Sequence, residues 1–196
     1  MTPSILHQSK PHTLYLTSRS RRERSGNGQV RPAVRLAAMR RYNIGRPATS
    51  NERNHMQREI MTSIPFLSQP SAAAENTEED LAVAQDLKDT LDAHRNGCVG
   101  MAANMIGVPK RIIAFVDEDF GGRIFVMFNP HITAEDGAFD TAESCLSLQG
   151  ERRTVRYQRI EVDYMDRKFR ERHAAFTGFT AQIIQHEIDH CDGVII

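Results

Sequence analysis

The chain has 196 residues, enough for one domain with a core of its own and too few for two of ordinary size. Charged residues make up 26% of it, no apolar run reaches the roughly 20 residues that span a bilayer, and the start lacks the basic-then-apolar order of a secretory signal, so a soluble protein is expected. Its formal charge of zero is a cancellation: residues 1–55 hold ten Arg, one Lys and two acids and carry +9, which leaves −9 on residues 56–196.

The basic part predicts disorder. A segment such as TSRSRRERSGNGQVRPAVR has too little apolar surface to offset the entropy of ordering it. Three readings compete for residues 1–55: a leader upstream of a start at Met56 or Met61, an organelle transit peptide, and a nucleic-acid arm. The abrupt compositional break favours the first. The folded domain is then expected over 56–196. Three cysteines, Cys98, Cys145 and Cys191, are an odd and sparse set. They argue against a disulfide scaffold and for a reducing compartment.

In chain order, NTEEDLAVAQDLKDTLDAHRNG is the first regular element. Acids fill its first turn, Leu81, Ala84, Leu87 and Leu91 recur at helical spacing, and Gly97 ends it. GCVGMAANMIG follows, rich in Gly and Ala, with methionines where a phosphate-binding loop would carry a lysine. RIIAFVDE and RIFVMFNP, joined by an Asp/Gly-rich turn, predict two strands, and TVRYQRIEVDYMDR predicts a third with alternating Ile160, Val162 and Tyr164. A last helix is expected from about Thr180 until Gly193. Strands clustered between two helices place the chain in the α+β class, with a mainly antiparallel sheet.

The final helix contains His186-Glu187-Ile188-Asp189-His190, an HExxH pattern. Residues four apart share a helical face, so both imidazoles can reach one ion while Glu187 projects beside it. Phe179 and Ile183 lie near the same direction, which predicts an apolar, buried face. Two core histidines held by hydrogen bonds are the competing reading.

A catalytic site of this kind needs a third ligand and an open position for water. Only six residues follow His190, and they offer Cys191 and Asp192. Cys191 is turned about 100° from His190 around the helix. Cys145, in the small polar stretch AESCLSLQG between strands, is better placed, with a buried structural cysteine as its alternative.

Three segments now stand in order, GCVGMAANMIG, ESCLS and QHEIDH. Together they resemble the three motifs of the peptide deformylase family, over about Met56 to Ile196. The resemblance implies a deformylase fold around the HExxH helix, and removal of the formyl group from the initiator formyl-methionine of nascent proteins. It implies Cys145, His186 and His190 as metal ligands, ferrous iron as the preferred ion, and zinc or nickel as tolerated ones. Glu187 is then the acid–base group and the backbone N–H of Leu146 an oxyanion donor. The implied partners are an N-formyl-methionyl peptide and the ribosome, with no specific nucleic acid and no membrane. The implied location is the bacterial cytoplasm, with organelle targeting by residues 1–55 as the alternative.

The chain also departs from the family pattern. Met105 stands where the first motif has a glutamine whose side chain donates to the oxyanion, and methionine has no hydrogen to donate. Cys98 and Met101 in the first motif and Ser144 in the second depart too. A weakened deformylase, an inactive relative and an N-acyl amidase for another acyl group are therefore three readings. Gly100 is expected to let a substrate backbone approach closely, and Arg152 matches a basic position near the peptide. Glu143 matches an acidic position with a structural role, through an ion pair or the floor of the methionine pocket. Arg152, Arg153 and Arg156 together read as a solvated strand edge.

Overall fold

The computed structural model describes residues 56–117 and 120–196; the basic segment 1–55, with its expected disorder, lies outside the described residues. A short helix, α1 (Ile64–Leu67), precedes α2 (Glu78–Ala93), which the periodicity had predicted. Thr77 caps α2, its side chain accepting from the Asp80 N–H, with Glu78, Glu79 and Asp80 in the first turn. Ala84, Leu87 and Leu91 are fully buried, and Leu81 is partly so.

The Gly/Ala segment is a strand followed by a tight turn. β1 (Gly100–Ala102) runs into a 3₁₀ turn (Ala103–Ile106), and Gly107 ends it with φ +80°, where a glycine avoids the Cβ penalty. Every residue from Gly100 to Ile106 is buried. β2 (Ile112–Asp117), β3 (Arg123–Ser144), β4 (Glu151–Met165) and β5 (Glu171–Thr177) complete an antiparallel sheet of order β1-β2-β3-β4-β5. The last element, α3 (Gly178–Cys191), packs on β4, β2 and β1.

One strand expectation is corrected, and one strand had not been assigned. RIFVMFNP does not end near Pro130: β3 continues for 22 residues, pairing first with β2 and then with β4. Register shifts between Phe128 and His131 and between Ile132 and Ala134 accompany the change of partner, with Asn129 at φ 51°. ESCLS is thus the end of a strand and the turn after it. β5, ERHAAFT, went unassigned in the sequence: its polar residues suit an edge of the sheet.

This extension positions the site. Thr141, Glu143 and Cys145 are buried while Ala142, Ser144 and Leu146 are less so, the period of two expected of a strand. The buried side of β3's end therefore presents an acid and a thiol to α3. α3 is held to β4 by Gln185, whose amide accepts from the Tyr157 N–H at 2.9 Å and donates to the Tyr157 carbonyl at 2.9 Å.

Candidate metal centre

Cys145, just past the end of β3, comes together with His186 and His190 of α3. Cys145 Sγ lies 3.2 Å from His190 Nε2, which lies 3.2 Å from His186 Nε2. All three donor atoms fall within 4.8 Å of one another, and all three residues are buried. Cys191, by contrast, is buried elsewhere on the helix and is no part of this group.

The chemistry of the donors suits a transition-metal ion. Burial pushes the Cys145 thiol up to about 12, with the carboxyl of Glu187 acting in the same direction and the Ser147 N–H, 3.4 Å from Sγ, opposing it. Such a thiol ionises near neutral pH only beside a cation. Burial lowers His190 to about 3, so its ring is neutral and offers a lone pair. His186 donates through Nδ1 to Glu143 Oε2 at 2.8 Å, which leaves its Nε2 as the other lone-pair nitrogen. One thiolate and two imidazoles are the donors that zinc and iron take, and they leave room for water.

Glu187 sits in the same interior. It is fully buried, neither carboxylate oxygen has a hydrogen-bond partner, and burial raises its carboxyl well above the usual range. An unpartnered buried carboxyl is costly and marks a group reserved for another species. Gly100 makes room for it: a Cβ there would overlap Glu187 Oε1 and lie 2.6 Å from Ile183 Cγ2. The missing side chain of Gly100 thus accommodates Glu187 and Ile183 of α3.

Behind Cys145, His186 and His190 lies a network that the sequence did not disclose. Glu143 receives Arg156 Nε and Nη2, both at 2.8 Å, and Gln182 Nε2 at 3.0 Å. Although burial opposes it, hydrogen bonds from His186 and Arg156 hold Glu143 down at about 2. Of the two structural roles open to Glu143, the geometry has the ion pair. Arg156 Nη1 also donates to Asp189 Oδ2 at 2.6 Å. Arg156 is 4% exposed, so it is not on a solvated edge. Arg152, whose backbone pairs directly opposite Glu143, is half-buried and donates to the Gln149 carbonyl.

A family model described as polypeptide deformylase matches residues 58–196. A peptide deformylase of Clostridium beijerinckii is 51% identical over 141 residues, which are 72% of this chain and all of that one. The chain belongs to the peptide deformylase family. Solved peptide deformylase structures agree in fold. One from Legionella pneumophila is 29% identical with a TM-score of 0.65, over 71% of this chain and 83% of its own. A Met-Ala-Ser-bound enzyme from Acinetobacter baumannii is 25% identical with a TM-score of 0.63, over 71% of this chain and 97% of its own. Peptide deformylases are metal-dependent hydrolases that remove the N-formyl group from nascent peptides, and that is the activity of this protein.

Three of the four positions at which the chain departs from the family pattern, Cys98, Met101 and Met105, are packed inside, and Ser144 is half-buried. Met105 is fully buried, and its Sδ accepts from the Ala102 N–H at 3.4 Å. Cys98 is buried and its thiol donates to the Gly100 carbonyl at 2.8 Å. Next to Met105, Asn104 donates to the His190 carbonyl at 2.6 Å and so ties the first motif to the end of α3. Leu146 and Arg152 border a cavity of about 500 Å³, shared with Thr62 and Ile64. Sequence reading put Arg156 on a solvated edge and passed over Gln182, Asn104 and Asp189. Strand alternation from Glu143 and the four-residue step back from His186 to Gln182 were the available signals.

Proposed function

We propose that residues 56–196 form the catalytic domain, with residues 1–55 a separate basic extension, and that Cys145, His186 and His190 hold one divalent ion, Fe2+ by preference and Zn2+ or Ni2+ in its place. The observation that carries this reading is the meeting of one thiol and two imidazole nitrogens beside an unpartnered buried carboxyl. A metal ion bound there supplies positive charge that acidifies water and polarises the formyl oxygen.

The chain's own groups do the rest. Ionised by the positive charge of a cation held beside it, Glu187 would take the proton of the attacking water as the water oxygen bonds to the formyl carbon, and return it to the amine nitrogen as the C–N bond breaks. Formate and a free N-terminus result. The Leu146 N–H donates to the oxygen on which charge develops. Met105 cannot help, because its sulfur is an acceptor and already receives the Ala102 N–H. Turnover is therefore lower than a glutamine at 105 would allow. Arg152 and Leu146, on the cavity beside Ile64, face the peptide beyond the formyl-methionine, and Gly100 lies on β1, the other edge of the sheet. With nascent chains as substrate, the ribosome is the proposed partner and the bacterial cytoplasm the proposed location.

The test is formate release from a formyl-methionyl peptide by protein prepared anaerobically with ferrous iron, beside Glu187→Gln. Formate at the level of that variant would overturn the assignment of roles. Acetyl-methionyl peptide in parallel separates a deformylase from a broader N-acyl amidase.

A further inference from the structure

The geometry points to Arg156 as a positioning residue that, through Glu143, sets the ring plane and tautomer of His186. This rests on the reading of Cys145, His186 and His190 as the ligand set. A carboxylate has about four lone-pair directions, and those of Glu143 are all taken: Oε1 by Arg156 Nε and Gln182 Nε2, Oε2 by Arg156 Nη2 and His186 Nδ1. The two-point fork of a guanidinium fixes the plane of the carboxylate it grips. With that plane fixed, Oε2 has one direction left for the His186 Nδ1–H, and the opposite nitrogen is aimed at Cys145 and His190.

The third donor of the same guanidinium goes to Asp189, on α3 beyond His186. One planar cation from β4 thus fastens the carboxylate on β3 and the helix that carries both imidazoles. His190 has no counterpart to this support: its Nδ1 is buried without a partner. Among the described residues, the Arg156–Glu143 pair is then the anchor through which a ligand imidazole is oriented. Stability alone is a poor account of so buried an ion pair, since well-packed apolar residues commonly serve as well. Lysine keeps the charge but not the fork.

The experiment measures cobalt(II) affinity by chelator competition, and the visible absorption of the cobalt-loaded protein, for wild type, Arg156→Lys, Glu143→Gln and the double variant. Cys145→Ala is the control for the ligand reading. If wild type lacks a sulfur-to-cobalt absorption that Cys145→Ala abolishes, the ligand set itself is wrong. If that absorption is present, the expected result is a 10–100-fold weaker affinity in Arg156→Lys, a changed cobalt spectrum, and no further loss when Arg156→Lys is added to Glu143→Gln. Losses that multiply in the double variant would show that Arg156 does not act through Glu143. An unchanged affinity and spectrum in Arg156→Lys, with or without a lower melting temperature, would leave Arg156 a purely structural residue and overturn the proposal.

Discussion

Replacing Gly100 with alanine asks how closely β1 is fitted to α3. The added Cβ would overlap Glu187 Oε1 and stand 2.6 Å from Ile183 Cγ2 and 3.0 Å from Glu187 Cδ, whereas carbon atoms rest about 3.5–4.0 Å apart. Relief requires about 1 Å of separation between strand and helix. Ile183 is 1% exposed and branched at Cβ, so its methyl cannot swing aside without moving the helix. The other route is rotation of the Glu187 carboxylate within a packed interior. Overpacking of this kind costs about 1–3 kcal/mol. Because the displaced group is the proposed acid–base residue, and about 1 Å of misplacement can cost on the order of 10²-fold, turnover should fall about 100-fold. Urea unfolding at constant m-value reads the first effect, and formate release at saturating peptide reads the second. Unchanged stability with unchanged turnover would refute the reasoning. Lost stability with full turnover would show that the strand moved and Glu187 did not.

Met105→Gln should raise turnover by up to about 10²–10³: the new amide oxygen can accept the Ala102 N–H that Met105 Sδ now receives, leaving its NH₂ to donate, and steady-state kinetics would show the gain in kcat. Cys145→Ala should abolish stoichiometric metal while leaving the fold, read by metal analysis and circular dichroism; a full metal load in that variant would exclude the thiol as a ligand. Acid should unfold the metal-free protein in two overlapping stages. His190 is held near 3 against an ordinary 6.5, and Glu143 near 2 against 4.5. Both folded values lie below the unfolded ones, so the stabilisation is complete above the unfolded value and is lost as pH falls towards the folded one. Glu143→Gln should flatten the lower stage in an acid titration followed by circular dichroism, and an unaltered curve would count against the buried ion pair. Phe128, fully buried with its ring centroid 4.7 Å from that of Phe169, should cost about 3–5 kcal/mol when cut to alanine, measured by denaturant melts.

Sequence by itself determined what depends on short-range order. α2 was legible because its caps and apolar spacing agree, and α3 because HExxH lies within a helical pattern; the two histidines and Glu187 stood out because that spacing is local, whereas Cys145, 45 residues from His190, entered the proposed ligand set through the family resemblance. Tertiary structure decided what depends on who faces whom. The sequence has three arginines between 152 and 156 with nothing to separate them, yet Arg156 is buried against Glu143 and Asp189 while Arg152, directly across the ladder from Glu143, turns to the Gln149 carbonyl. That the missing side chain of Gly100 makes room for Glu187 and Ile183 is visible only once β1 and α3 are packed together. β5 and the second half of β3 escaped because exposed strand residues need not be apolar, so backbone pairing across the sheet, not composition, makes them strands. A side chain's partner across 13 or 43 residues, as Glu143 finds in Arg156 and His186, is fixed only when strand, turn and helix have been assembled.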